Sequence, residues 1–205
     1  MTIVPMFPLG SVLLPGTVLP LHVFEPRYRQ LVEDCVESPE HEFGVVLIER
    51  GSEVGGGDVR RAVGTMARMV QVAEMEDGRY AVLAIGTHRI EVRSWLPEDP
   101  YPRAEVEDWA DDEDGDAQME VDGVAGTVRR VAALALELGD AGRDLGTELS
   151  DDTLIASYQL VHLAPLGEAD RYDLLCAHGP SERLAMLAQR VAEVEQLLRF
   201  RLGEG

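Results

Sequence analysis

The feature that most constrains this chain is a change of pattern near residue 110. From Ile3 to about Trp109, short apolar runs are broken by proline and glycine; downstream, apolar residues recur every three or four positions. The first pattern is that of strands and loops, because a strand needs only a short apolar run and turn residues at its ends. The second is that of helices with one buried face. Between them the composition turns acidic, from Glu107 to Asp122 through Asp111-Asp112-Glu113-Asp114-Gly115-Asp116, and a block of like charge reads as a solvated linker. The chain is therefore predicted to be α+β, with a β-rich domain over residues 1–110 and a helical bundle over residues 117–205.

Within the first part, Gly44-Val45-Val46-Leu47-Ile48 has the length and composition of a strand, and the Gly-rich stretch Gly51 to Asp58 that of a loop. Val70-Gln71-Val72 leads to Asp77-Gly78, a pair that predicts a two-residue hairpin turn with both central residues at positive φ. Tyr80 to Ile85 would be the return strand and His88 to Trp95 the next. One helix interrupts the strands: Pro26 suits a first turn, Tyr28, Leu31, Val32 and Cys35 follow at helical spacing, and Pro39 ends it. In the second part, Val121, Val124, Val128, Val131, Leu134 and Leu138 mark a helix that stops at Gly139. Ser150 is read as the cap of a helix through Leu163, and Pro165 stops that one. A short helix over Asp170 to Ala177 precedes a last one from Pro180 whose stripe, Leu184, Leu187, Val191, Val194 and Leu198, suits a bundle; its heptad-like spacing also admits a coiled-coil dimer.

Composition narrows the chemistry. With 205 residues, 45% of them apolar, the chain can bury a core. Its 18 basic and 38 acidic residues give a net charge of −20, which repels phosphate backbones, so nucleic acid is not an expected partner. There is no lysine and no asparagine, and every basic residue is arginine. That removes a P-loop lysine, a Schiff-base lysine, a Ser-Lys dyad and a Cys-His-Asn arrangement. Cys35 and Cys176 stand far apart, so neither a disulfide framework nor a zinc site is indicated. The first ten residues lack a basic region followed by an apolar core, and no segment approaches the ~18 apolar residues of a membrane span. A cytoplasmic address without membrane contact is expected.

Individual motifs also fail their tests. Gly51 and Gly56 have P-loop spacing, yet Gly57 and Asp58 stand where Lys and Ser or Thr are needed. The acidic run fails the calcium-loop register, because counting back from Gly115 puts Ala110 at the first ligand position. The histidines His22, His41, His88, His162 and His178 show no HExxH spacing, and no GxSxG elbow accompanies them. Cys176 reads as a buried helix residue, and the Glu25 and Arg27 pair as a fixture of the entry into the first helix. No catalytic residue, metal or cofactor is expected.

Three stretches together resemble the N-terminal domain family of Lon proteases. The first is Phe7-Pro8-Leu9, Leu14-Pro15-Gly16 and the run from Leu19 to Arg29 that contains Phe24-Glu25-Pro26-Arg27-Tyr28. The second is Gly44 to Ile48, Val63-Gly64-Thr65-Met66-Ala67-Arg68-Met69, Asp77 to Tyr80 and Gly86-Thr87-His88-Arg89. The third is Leu163 to Leu166, Asp170-Arg171, Leu174-Leu175 and Arg183-Leu184. The resemblance implies a PUA-like β-barrel followed by an α-helical bundle, and a non-enzymatic role in holding unfolded or tagged polypeptide segments. The ATPase and protease domains that follow this region in Lon proteases do not follow Gly205 here, so a stand-alone adaptor or holdase is expected, working with a protease or chaperone encoded separately. Leu13, Leu14, Met66, Met69 and Met75 are the candidate peptide-binding residues, because an apolar loop and adaptable methionines suit promiscuous partners. The rival readings are a small hydrolase using His and carboxylates in a cleft between the domains, and a small-molecule or RNA binder by analogy with other PUA-like folds.

Without the lysine and the magnesium-binding hydroxyl, the Gly51 to Asp58 loop is expected to hold no nucleotide: calorimetric titration with ATP at micromolar concentrations should give no saturable heat, and incubation should release no phosphate.

Overall fold

The computed structural model describes residues 1–51, 53, 57–112, 117–140, 146 and 148–203. The contacts divide the chain into two units, Met1–Ala110 and Asp111–Gly205. Half of the Gly51 to Asp58 loop, residues 52 and 54–56, and residues 113–116 of the acidic run lie outside the described residues.

The first unit contains β1 (Thr2–Leu9), β2 (Val18–Val23), α1 (Pro26–Glu37), β3 (Glu42–Arg50), β4 (Val59–Glu74), β5 (Tyr80–Trp95) and β6 (Arg103–Asp108). β1 pairs parallel with β3, and every other pairing is antiparallel, so the sheet is mixed. The strand order is β2-β5-β4-β3-β1-β6, and β6 pairs with β5 as well as β1, so the pairing runs through a closed circuit. Among the described strands, closure leaves β2 as the one held on one side only, by β5.

Two corrections concern β5. It is one strand of 16 residues, not two, with a register irregularity opposite Thr65 and Ala67 that carries it past Gly86-Thr87-His88. The hairpin before it is a wider turn: the Met75 amide bonds Arg79 oxygen at 2.8 Å and the Gly78 amide bonds Met75 oxygen at 2.9 Å. Only Gly78 has positive φ there, at 75°. Asp77 stays in the ordinary region because its carboxylate accepts the Arg79 amide at 3.2 Å, the local bond that favours Asp in turns.

Two apolar clusters hold this unit. One joins α1, through Tyr28, Leu31, Val32 and Cys35, to Phe7, Phe43, Val45, Met69 and Val82 of the sheet. The other draws Met6, Val46, Met66, Ile90, Val92, Ala104 and Val106 from all five strands of the circuit. Strand alternation sends Met66 and Met69, an odd number of positions apart on β4, into different clusters.

The chain between β1 and β2 is tied down onto this sheet. The Thr65 hydroxyl donates to Leu13 oxygen at 2.7 Å and the Thr17 hydroxyl to Leu14 oxygen at 2.7 Å. The Gly16 amide bonds Gly86 oxygen at 2.8 Å and the Gly86 amide bonds Thr17 oxygen at 3.0 Å. A Cβ on Gly86 would stand 2.4 Å from Leu14 oxygen, so only glycine lets the two segments approach.

The second unit holds α2 (Gln118–Glu137), α3 (Thr153–Leu163), α4 (Glu168–Leu175) and α5 (Pro180–Gly203); α2 and α3 pack on each other and on α5, and α4 on α3 and α5. The buried face of α2 uses Val121, Ala125, Val128, Val131, Ala132 and Ala135, so alanines replace Val124 and Leu134 of the expected stripe: small side chains allow close packing. The cap of α3 is Asp152, not Ser150: its carboxylate accepts the Leu154 and Ile155 amides, and the Ser150 hydroxyl accepts the Asp152 amide at 3.1 Å. Of the α5 stripe, Leu184, Leu187, Val191 and Leu198 are buried, while Val194 is half-buried.

Among the described residues of this unit, Arg171 and Arg183 are buried. Arg171 donates to the carbonyls of Leu166, Val161, His162 and Ala164 at 2.7–3.2 Å, satisfying oxygens that the end of α3 leaves without helical partners. Arg183 lies over the Tyr158 ring, donates to Leu174 oxygen at 3.1 Å and Ser157 hydroxyl at 2.7 Å, and pairs with the Asp111 carboxylate. Tyr158 donates to the same carboxylate at 2.9 Å. Asp111 is therefore an internal ligand of a buried cation, not part of a solvated linker, because a buried guanidinium must be neutralised and hydrogen-bonded.

Two expected outcomes follow, and the optical probes separate the units, since both tryptophans, Trp95 and Trp109, lie in the first unit and four of the five described helices in the second. Gly86→Ala should destabilise the first unit by about 2 kcal/mol or more through the clash with the Leu14 carbonyl, seen as an earlier tryptophan transition in urea. Arg183→Met should cost about 3 kcal/mol or more by stranding Asp111, seen as an earlier loss of helical circular dichroism.

Candidate functional site

The open side of β2 borders a groove of about 300 Å³. Phe7 and Leu9 come from β1, Leu19 to Val23 from β2, and Glu25 and Tyr28 from the start of α1; Phe24 and, from flanking loops, Ser11 and Glu53 complete it. Pro20 sits in the middle of β2, a position that a central strand would not tolerate and an edge strand does. A groove this size lies at the small end of ligand sites, which run from ~300 to 1,000 Å³, and suits one or two side chains of a peptide laid across it.

Local sequence builds the floor. Pro26 disfavours helical geometry in the residue before it, and Glu25 is extended at φ −68°, ψ 135°. The Glu25 carbonyl then accepts the Tyr28 and Arg29 amides at 3.1 and 2.9 Å, starting α1 so that the Tyr28 ring stacks on Phe7 with centroids 4.2 Å apart. Both rings are nearly buried, whereas Phe24 is 56% exposed. A single exposed aromatic is ordinary on a protein surface; one that borders an apolar groove adds contact area for a ligand.

A chain of ion pairs lies alongside. Glu25 accepts from Arg27 at 3.2 Å, Arg27 reaches Glu98 at 3.4 Å and Glu53 oxygen at 3.4 Å, and its guanidinium stands 4.5 Å over the Tyr28 ring. Arg60 pairs with Asp58 and with Glu98, the latter at 2.6 Å, and stacks over Trp95. Partial burial works to raise the pKa of Asp58, but the hydrogen bond and charge of Arg60 outweigh it and hold the carboxyl below its ordinary value. Burial pushes the Tyr28 phenol up to about 12 against the opposing pull of Arg27, so the floor of the groove is neutral.

The five residues expected to bind peptide do not lie in this groove. Leu13 and Leu14 are 5% and 1% exposed beneath the tied-down loop, and Met66 and Met69 are buried in their separate clusters. Met75 alone is exposed, at the β4–β5 turn. They form no common surface, because the loop between β1 and β2 is folded inward by Thr65, Thr17 and Gly86. The groove draws instead on Phe7, Leu9, Leu19 to Glu25 and Tyr28, from stretches whose order carried the resemblance; the proline within an apolar run at Leu19-Pro20-Leu21 is the signal that could have marked an edge strand.

A hydroxyl, an imidazole and a carboxylate do meet elsewhere in this unit. His88 Nδ1 is 3.0 Å from Thr87 Oγ1, and its Nε2 is 3.2 Å from Asp108. The Thr87 hydroxyl also lies 3.2 Å from Met66 oxygen, a second acceptor for its single proton beside the imidazole. Among the described residues no group of three or more His, Cys, Asp or Glu is placed to hold a metal ion. No described helix is long and apolar enough to cross a membrane.

Comparison with known proteins gives this geometry a lineage. Residues 3–193 match the family described as the ATP-dependent protease La (LON) substrate-binding domain. The chain is similar to a Lon protease of Anaeromyxobacter dehalogenans, 34% identical over 139 residues that make up 66% of this chain and 16% of that protein. It is 36% identical over 107 residues to Lon protease 2 of Sorangium cellulosum, covering 51% of this chain and 13% of the other, so it spans only a small part of such relatives. Among solved structures, a Lon N-terminal domain protein from Xanthomonas campestris superposes with a TM-score of 0.70 at 32% identity, covering 91% of this chain and 97% of that one. The N-terminal domain of a Mycobacterium avium complex Lon protease shares the fold, with a TM-score of 0.61 at 19% identity over 93% of this chain and 98% of that one. The mixed sheet and five helices are thus the Lon N-terminal domain fold, and the chain belongs to the Lon substrate-binding domain family.

Proposed function

We propose that this chain is a non-catalytic polypeptide-recognition module that holds unfolded or tagged segments in the groove beside β2. The observation that carries the reading is Phe24, exposed at the edge of an apolar groove in a member of a substrate-binding family. An unfolded segment offers isolated apolar side chains that a native protein hides. A shallow groove takes them one or two at a time, weakly and without strict choice of sequence. The proline in β2 removes one backbone donor from the strand, which favours capture by side-chain contact over addition of a new strand to the sheet.

In this reading the closed circuit of strand pairing is the PUA-like β-barrel, the helices of the second unit form a bundle, and the module serves as an adaptor or holdase for a protease or chaperone encoded separately. The net charge of −20 supports a protein partner over nucleic acid. The match to a substrate-binding domain supports a role without catalysis.

Fluorescence anisotropy on one labelled client in its unfolded and native states tests the proposal. The unfolded client should bind and the native one should not. Phe24→Ser should weaken binding about fivefold or more, the loss expected for removing part of one buried aromatic, while circular dichroism stays unchanged. Equal affinity for both states, or none for either, would remove the reading.

A further inference from the structure

The charge around the groove is lopsided, and this bears on which segments it takes, given that it takes polypeptide at all. Glu25 and Glu53 line it together with His22, and among the described residues no arginine does. The neighbouring guanidiniums are already engaged: Arg27 by Glu25 and Glu98, Arg60 by Asp58 and Glu98. Four carboxylates therefore face two guanidiniums, an excess of two negative charges beside a floor of neutral aromatic rings. Glu53 is exposed and accepts the Gly10 amide through one oxygen, which leaves acceptor capacity for a ligand cation. From this complementarity we infer that the groove selects extended polypeptide segments in which an aromatic or aliphatic side chain is flanked by Lys or Arg.

The two parts of such a segment meet different physics. The apolar side chain leaves water for the wall formed by Leu19, Leu21 and Phe7 and is indifferent to salt. The flanking cation stays at the surface near Glu25 and Glu53, where attraction is modest and falls off within a Debye length, ~10 Å at 0.1 M salt. An acidic flank meets the same field with opposite sign, and among the described residues no arginine lines the groove to receive it.

The test uses the full chain and two fluorescent peptides that share one phenylalanine-containing apolar centre, one flanked by arginines and the other by glutamates. At low ionic strength the arginine-flanked peptide should bind about tenfold more tightly, and the ratio should shrink to about twofold at ~0.5 M salt. The double substitution Glu25→Gln, Glu53→Gln, which barely alters the net charge of the whole chain, should cut the low-salt ratio to about threefold or less. Phe24→Ser should weaken both peptides alike. Equal affinities at low salt, or a ratio that survives the double substitution, overturns the charge selection and leaves the peptide-binding reading standing. Absence of binding by both peptides overturns the inference together with that reading.

Discussion

The first unit depends on the close approach of the Leu13 to Thr17 segment to Gly86. Two hydroxyls, Thr65 and Thr17, take up the Leu13 and Leu14 carbonyls, and the Gly16 and Gly86 amides close the contact. Each of these buried groups would cost about 1–3 kcal/mol if left unpaired. Because the segment is held there, β2 emerges alongside the first half of β5, while the second half of β5 is taken by β6. One long strand thus serves two partners in succession. The groove is the consequence, since β2 has no neighbour on its outer side and its inner residues face β1 and α1.

The second unit is organised by charge inside the protein. Arg171 gathers four carbonyls with one guanidinium, and Arg183 gathers a carbonyl, a hydroxyl, a phenol and a carboxylate. A lysine has three donors on a single atom and could not span either set; the planar, five-donor head of arginine can. In a chain whose every basic residue is arginine, these two sites have the side chain they need. They also supply a physical reason for the helical stretch of the family resemblance: Ala164, Leu166 and Leu174 provide three of the oxygens, and Arg171 and Arg183 the donors that bind them.

The groove belongs to a different regime from these networks. Its floor is made of rings whose polar atoms are either absent or, in Tyr28, held neutral, and its charges are kept to the edge, where water can reach them. Such a surface can gain from apolar contact without first stripping water from an ion, which is the condition for weak and adaptable binding.

Periodicity and punctuation determined much of this by themselves. The helix from Pro26, with Tyr28, Leu31, Val32 and Cys35 buried, and the three-to-four residue spacing downstream of Val121 follow from rules that act within a few residues. The family was legible in the order of short motifs. What only the tertiary structure decided was which apolar residues stay in water. Leu13, Leu14, Met66 and Met69 are buried and Phe24 is exposed, yet all five are apolar and stand among apolar neighbours. Their fates are set by contacts distant in sequence: Thr65 reaches 52 positions back to Leu13, and Arg183 reaches 72 positions back to Asp111. Local patterning carries the cost of leaving a residue in water, but the partner that removes that cost is chosen only when the strands close and the helices pack.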